Sequence, residues 1–274
     1  MMNITEHTLA EEKATQYKNM DAFLPPPPNE TSDTVLSVEN PIYPQVPGVQ
    51  VIVAGIVMSG REGYVFRVLN YILAQLLLTT IICSFAYGYK NQLYSYIYTN
   101  PGILALPMVG CFASLLPLYC VTNKSVRLVL FWIFTVSIAS SVAFTIIQYS
   151  SSVVFKTVLV TMCVVFSTNM YAYYCAKRNR DFSFLETGLF TGLIALIILG
   201  FLQIFIHDSF LHYCIVFLGV MVFTGYLLYD LNRLYNDQLP DDDSLLIAIT
   251  IYLDIINLFL YLLELVRCLT EGRN

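Results

Sequence analysis

Seven long apolar blocks constrain the fold of this chain more than any other feature of its sequence. Each block has about the 20 residues that an α-helix needs to cross the hydrocarbon core of a bilayer. Only 12% of all residues are charged, against about 25% in typical soluble domains. The blocks occupy residues 66–88, 102–121, 128–147, 153–175, 184–206, 211–231 and 245–266. The sequence therefore predicts an all-α membrane protein built as a bundle of seven transmembrane helices.

The N-terminal segment differs from these blocks in composition. Residues 1–62 are polar and proline-rich, with four consecutive prolines at 25–28. Such a segment buries too little apolar surface to order itself, so we expect a disordered cytosolic tail. Its P-x-x-P spacings are typical of ligands for SH3 or WW-type domains, although plain disordered tails contain them too. The predicted organisation is a tail at 1–62, a membrane domain at 63–268 and a short C-terminal tail at 269–274.

Lysines and arginines near the block ends predict the orientation of the bundle. Eight of them lie on the side that holds the N-terminus: Arg61, Arg67, Lys124, Arg127, Lys177, Arg178, Arg180 and Arg233. Four lie on the opposite side: Lys90, Lys156, Arg267 and Arg273. The positive-inside rule then places the N-terminus in the cytosol. Whether the seventh block crosses the membrane or re-enters stays open, because the last two arginines change sides with it.

Two aspartates inside the last two blocks are the main candidate site. An ionisable side chain at membrane depth is costly and is a functional-site hypothesis by default. Asp230 and Asp254 each lie twelve residues from Asp242, in the polar connection between the blocks. If that connection is a hairpin, a rise of about 1.5 Å per residue brings both carboxyl groups to similar depth.

Two carboxyl groups held together in a low dielectric cannot both ionise cheaply. The pair would therefore share a proton and latch the two helices together. Fully ionised, the groups would repel each other or offer hard oxygen ligands to a transient Ca²⁺ ion. The alternative is that backbone, tyrosine or asparagine groups satisfy each aspartate separately.

Other polar residues are weaker candidates. Asn257, one turn after Asp254, and Tyr229, beside Asp230, are possible accessory groups of the pair. An ion pair is expected between Glu264 and Arg267, three residues apart. The turn before the sixth block holds a possible metal-binding group, although a solvated turn is the commoner outcome: His207, Asp208 and His212. A small-residue stripe on the fifth block favours close packing within the molecule, with a homo-oligomer as the alternative: Gly188, Gly192 and Gly200.

Several functional classes are excluded or disfavoured. A net charge of −5 argues against nucleic-acid binding, which needs a basic face. The seven cysteines form no C-x-x-C pair, so neither a disulfide framework nor a cysteine zinc site is predicted. The sequence has no G-x-S-x-G, H-E-x-x-H or P-loop motif. An intramembrane aspartyl protease needs G-x-G-D at its second aspartate, where this chain has Tyr252-Leu-Asp254. We expect no enzyme activity and no tightly bound cofactor.

At these residues the sequence resembles the Bax-inhibitor family of membrane proteins, specifically its lifeguard branch. The motifs that carry the resemblance are FTGYLLYD at 223–230, IYLDIINLFL at 251–260, KRNRDFSF at 177–184 and FRVLNYILAQLLLT at 66–79. The resemblance implies a seven-helix fold and a pH-sensitive Ca²⁺ leak from internal stores. It further implies that Asp230 and Asp254 are the pH-sensing and gating pair, and that the protein restrains apoptosis.

The same resemblance leaves alternatives open. The expected membrane is the endoplasmic reticulum or Golgi, with the plasma membrane as another possibility. A non-conducting membrane protein that suppresses cell death by binding apoptosis regulators is the alternative function. Bacterial relatives also place an arginine in the second helix that engages the aspartates, whereas block 102–121 has no charge. Either the shared proton suffices here, or another helix supplies the cation.

Overall fold

A short β-hairpin precedes the helices in the computed structural model of the chain. The structure describes residues 50–53, 56–59, 61–178, 180, 182–206, 208–236 and 244–271. Strand β1, Gln50–Val53, pairs antiparallel with β2, Ile56–Ser59. This hairpin lies in the segment predicted to be a disordered tail, and its β-branched residues favour strand. The predictions for residues 1–49 and for the end of the C-terminal tail lie outside the described residues.

Eight α-helices follow in the described part of the chain. They are α1 Arg61–Gly88, α2 Lys90–Thr99, α3 Ala105–Cys120, α4 Lys124–Ile146, α5 Ser151–Lys177, α6 Ser183–Ile206, α7 Ser209–Asn236 and α8 Ser244–Glu271. A 3₁₀ helix, Pro101–Leu104, leads into α3. Seven spans in the described residues are long and apolar enough to cross a membrane: six are formed by α1 and α4–α8, and the other is α3 extended by the 3₁₀ helix to Gly102–Cys120. The predicted seven-helix bundle is therefore confirmed, with α1 beginning two residues before the predicted domain start.

Helix α8 occupies the centre of the bundle. It contacts α7, α5, α1 and α4, and 56% of its most apolar window is buried inside the protein. The corresponding share is 11% for α6, which packs against α7. Because the apolar faces of α6 are mostly uncovered by protein, α6 is a peripheral helix suited to contact lipid. The candidate residue Asp254 is therefore placed on the helix with the most protein around it.

The shape of α8 bears on the question of re-entry. This helix runs without interruption for 28 residues, which corresponds to about 42 Å at 1.5 Å per residue. The hydrocarbon core of a bilayer is about 30 Å thick. A re-entrant segment has to reverse its direction within the membrane, and α8 contains no such reversal. The length and composition of α8 are therefore sufficient for a complete crossing.

Buried hydrogen bonds attach α1 to the centre of the bundle. The Gln75 side-chain amide donates to Thr135 Oγ1 of α4 at 2.9 Å. The hydroxyl groups of Thr79 and Tyr252 share a hydrogen bond of 2.8 Å between α1 and α8. Polar groups removed from water need such partners, because an unpaired polar group in hydrocarbon is costly. These bonds fix α1 beside the helix that carries Asp254.

Glycines on α6 and α7 allow close helix contacts. A Cβ atom at Gly219 would overlap the ring of Tyr261 on α8, and one at Gly192 would overlap Val222 on α7. Gly188 and Gly200 have no such neighbour within 4 Å. The predicted packing role of the stripe within the molecule is thus confirmed for Gly192 alone. The absence of a side chain at Gly219 therefore leaves room for the Tyr261 ring of α8 against α7.

Candidate functional site

The two predicted aspartates meet between α7 and α8. Their carboxyl groups are hydrogen-bond partners of each other. The Asp254 side chain is almost fully buried, with 6% of the residue exposed, and Asp230 is half-buried. A hydrogen bond between two carboxyl groups requires a proton on one of them. The structure therefore brings the carboxyl groups of the two predicted residues together.

Each aspartate also presents an oxygen atom that lacks a donor. The Oδ2 atoms of Asp230 and Asp254 are buried and accept no hydrogen bond from the described residues. Carboxylate oxygens are hard ligands of the kind that Ca²⁺ prefers, but the ion takes about six to eight of them. Two carboxyl groups supply at most four oxygens. The donor set thus fits a transient contact with Ca²⁺ rather than a resident metal site.

Two further residues of α7 interact electrostatically with the pair. Arg233 lies within electrostatic range of Asp230, and Tyr226 lies within electrostatic range of both aspartates. Arg233 thus brings positive charge to the pair from α7, the helix that carries Asp230. Tyr226 was not among the predicted site residues, although its spacing of four residues from Asp230 places both on one helix face.

The predicted accessory residues are arranged differently. Tyr229 is within electrostatic range of Asp230, but its hydroxyl group donates to Glu186 Oε2 of α6 at 3.0 Å. Asn257 is half-buried, and its side chain forms no hydrogen bond to the pair in the described structure. Tyr229 therefore connects α7 to α6, and neither residue is bonded to the aspartates.

A second polar group, the Glu264 cluster, joins the same two helices farther along α8. It consists of Glu264, His212, Tyr149 and Arg267. The Tyr149 hydroxyl donates to Glu264 Oε2 at 2.8 Å, and His212 Nε2 lies 2.7 Å from Oε1. Arg267 forms an ion pair with the same Oε1 atom. Burial and the hydrogen bond to Glu264 raise the pKa of Tyr149, so its hydroxyl stays a donor at neutral pH.

Two predictions from the sequence concern residues in or near this cluster. The predicted ion pair between Glu264 and Arg267 is confirmed. Of the three residues predicted as a possible metal-binding group in the turn before α7, the two that the structure describes do not share a partner. Asp208 instead caps α7 by accepting a hydrogen bond from the Leu211 backbone N–H at 2.9 Å, and His212 contacts Glu264. His207 lies outside the described residues.

Comparison with known proteins identifies the family. Residues 61–272 match the family described as "Inhibitor of apoptosis-promoting Bax1". The chain belongs to the Bax inhibitor family. The predicted resemblance is therefore confirmed, and the matched region of this Bax inhibitor chain includes all eight helices and both polar groups between α7 and α8.

Three relatives illustrate how far the similarity to other Bax inhibitor proteins extends. The "BI1-like protein" of Arabidopsis thaliana is 32% identical over 76% of this chain and 81% of its own length. "Protein LIFEGUARD 4" of the same plant is 34% identical over 76% of this chain and 85% of its own. The "Golgi anti-apoptotic protein" of Vaccinia virus strain Lister is 30% identical over 76% and 86%, respectively.

Proposed function

We propose that this Bax inhibitor protein is a pH-sensitive Ca²⁺ leak channel, gated by Asp230 and Asp254. The observation that carries the proposal is the hydrogen bond between carboxyl groups of two neighbouring helices. While the groups share a proton, they hold α7 against α8. When both are ionised, their charges repel each other and favour separation of the helices. The leak therefore increases as pH rises.

The position of α8 supports a gate at this pair. Because α8 contacts four other helices, a displacement of Asp254 disturbs packing at the centre of the bundle. Separation of the pair would also expose carboxylate oxygens, which are suitable transient ligands for a Ca²⁺ ion in transit. Calcium is thus the transported ion in this proposal, and no tightly bound cofactor is needed.

The proposed membrane and cellular role rest on the viral relative, and the proposed orientation rests on the distribution of lysine and arginine. The name of the viral relative refers to the Golgi and to an anti-apoptotic role. We extend both to this chain, with the endoplasmic reticulum as the other candidate membrane. The distribution of lysine and arginine supports a cytosolic N-terminus. Lowering the Ca²⁺ content of a store is one physical route by which a leak restrains cell death.

A non-conducting interaction protein is the second candidate. The family description and the name of the viral relative favour it, because both refer to apoptosis and neither refers to ion transport. In this alternative, apoptosis regulators bind the membrane domain, or SH3 or WW-type domains bind the P-x-x-P segments of residues 1–62. If the tail is the binding segment, deletion of residues 1–60 would abolish protection from cell death and leave any Ca²⁺ flux intact, while substitution of either aspartate would not affect protection.

Calcium efflux from proteoliposomes of the purified full chain tests the proposal. Wild type should show efflux that rises with pH, and Asp230→Asn and Asp254→Asn should lose this dependence because an amide has no carboxyl proton. Asp208→Asn is the matched control, since asparagine also caps a helix well and Asp208 is exposed. Wild-type efflux no greater than that of empty liposomes at every pH would favour the interaction protein.

A further inference from the structure

We propose that His212, Glu264 and Cys268 bind a transition-metal ion, with Zn²⁺ as the best fit. The site lies between α7 and α8, ten residues along α8 from Asp254, or about 15 Å of helix rise. It is separate from the aspartate pair and does not depend on Ca²⁺ transport by the protein.

The three side chains converge in the folded chain. One donor atom of each lies within 4.8 Å of the others, and all three residues are half-buried. Glu264 and Cys268 are four residues apart and share one face of α8, while His212 comes from the first turn of α7. Zinc binds nitrogen, oxygen and sulfur at about 2.0–2.3 Å in tetrahedral geometry. Small side-chain movements are sufficient to bring these donor atoms to such distances.

The donor types select the class of metal. An imidazole nitrogen, a carboxylate oxygen and a thiolate sulfur form a mixed set that suits Zn²⁺. Calcium prefers ligand sets made only of oxygen, so the ion proposed to cross the membrane should not compete. Binding converts the Cys268 thiol to a thiolate and releases one proton, and His212 has to be neutral. Metal affinity should therefore increase with pH.

The present partners of Glu264 allow a metal to enter. His212 Nε2 and Arg267 both contact Oε1 of Glu264, so a metal ion would take the place of these contacts. The Arg267 side chain is 40% exposed, so its guanidinium group would turn toward solvent and give up this ion pair when a metal binds. Tyr149 donates to the other oxygen, Oε2, and can stay in place. The bound metal would then connect α7 to α8 at a second position, in addition to the Asp230–Asp254 pair.

Metal titration of the purified full chain tests this site. We expect one Zn²⁺ per chain by calorimetry, and a Co²⁺ absorption spectrum with a thiolate charge-transfer band. Cys268→Ser and His212→Gln should each weaken binding by about tenfold or more. Cys163→Ser is the matched control, because Cys163 is an exposed cysteine on α5. The Zn²⁺ affinity of this variant should equal that of wild type.

Thermal unfolding provides an independent readout. Zinc should raise the Tm of wild type and of Cys163→Ser, and it should not raise that of Cys268→Ser or His212→Gln. Calcium at the same concentration should leave every Tm unchanged. The Tm without metal identifies any variant that fails to fold, and the other variant then decides the outcome. Absence of zinc binding to wild type, or full affinity in a folded ligand variant, would overturn the proposal.

Discussion

Helices α7 and α8 are joined by two polar contacts of opposite chemistry. At the Asp230–Asp254 pair, two acids hydrogen-bond to each other, so the attraction depends on a proton. At the Glu264 cluster, one acid is surrounded by a tyrosine hydroxyl, a histidine and an arginine. An ionised carboxylate is well satisfied there. One contact is therefore suited to open as pH rises, while the other is suited to hold the helices together.

A substitution that forces α7 and α8 apart between these two contacts should cause the largest loss of stability. Gly219→Ala places a Cβ atom against the Tyr261 ring, and we expect a loss of about 3 kcal/mol of stability from overpacking. Gly200→Ala on α6 is the control, because no neighbouring atom lies within 4 Å. It should be neutral or slightly stabilising, since alanine favours helix. Thermal unfolding in detergent measures both, and equal Tm values would contradict the close contact.

Removing the charge of Glu264 should have the next largest effect. Glu264→Gln keeps the shape of the side chain but weakens hydrogen bonds to Tyr149, His212 and Arg267, and we expect a loss of about 2 kcal/mol. Glu186→Gln is the control, because Glu186 accepts one exposed hydrogen bond from Tyr229 and should lose much less. A Glu264→Gln protein as stable as wild type would show that the cluster does not hold the helices.

Removing a hydrogen bond between two uncharged side chains of α1 and α8 should cause a smaller loss of stability. Tyr252→Phe removes the hydroxyl that bonds Thr79, and we expect a loss of about 1 kcal/mol. Thr79 keeps its hydrogen bond to the Gln75 carbonyl oxygen, which limits the cost. The loss should be the same at pH 6 and pH 8, because both partners are neutral. A strongly pH-dependent difference in Tm would mean that this contact also titrates.

The smallest effect on stability is expected at the aspartate pair. Asp254→Asn can donate an amide N–H to Asp230, so at low pH its stability should be within about 0.5 kcal/mol of wild type. The shared proton is present at low pH and is lost as pH rises, so wild type should weaken with rising pH. The variant should therefore become the more stable protein at high pH. A pH-independent difference in Tm would be inconsistent with a shared proton.

The sequence predicts the parts of this structure that depend on local pattern. Block length and hydropathy are sufficient to locate seven helices, and symmetric spacing about Asp242 is sufficient to pair Asp230 with Asp254. Contacts between distant segments leave no such pattern. Tyr149 meets Glu264 across 115 positions in the chain, and the partner of His212 depends on how α7 crosses α8. Residues 50–59 contain too short an apolar run to distinguish a hairpin from a tail.

Calcium efflux from proteoliposomes containing Glu264→Gln or Asp254→Asn, measured side by side across a range of pH, distinguishes the two contacts most directly. We predict that Glu264→Gln keeps the pH dependence of wild type despite its lower stability. Asp254→Asn should lose that dependence despite its normal stability. A pH response that persists in Asp254→Asn and disappears in Glu264→Gln would contradict gating by the aspartate pair.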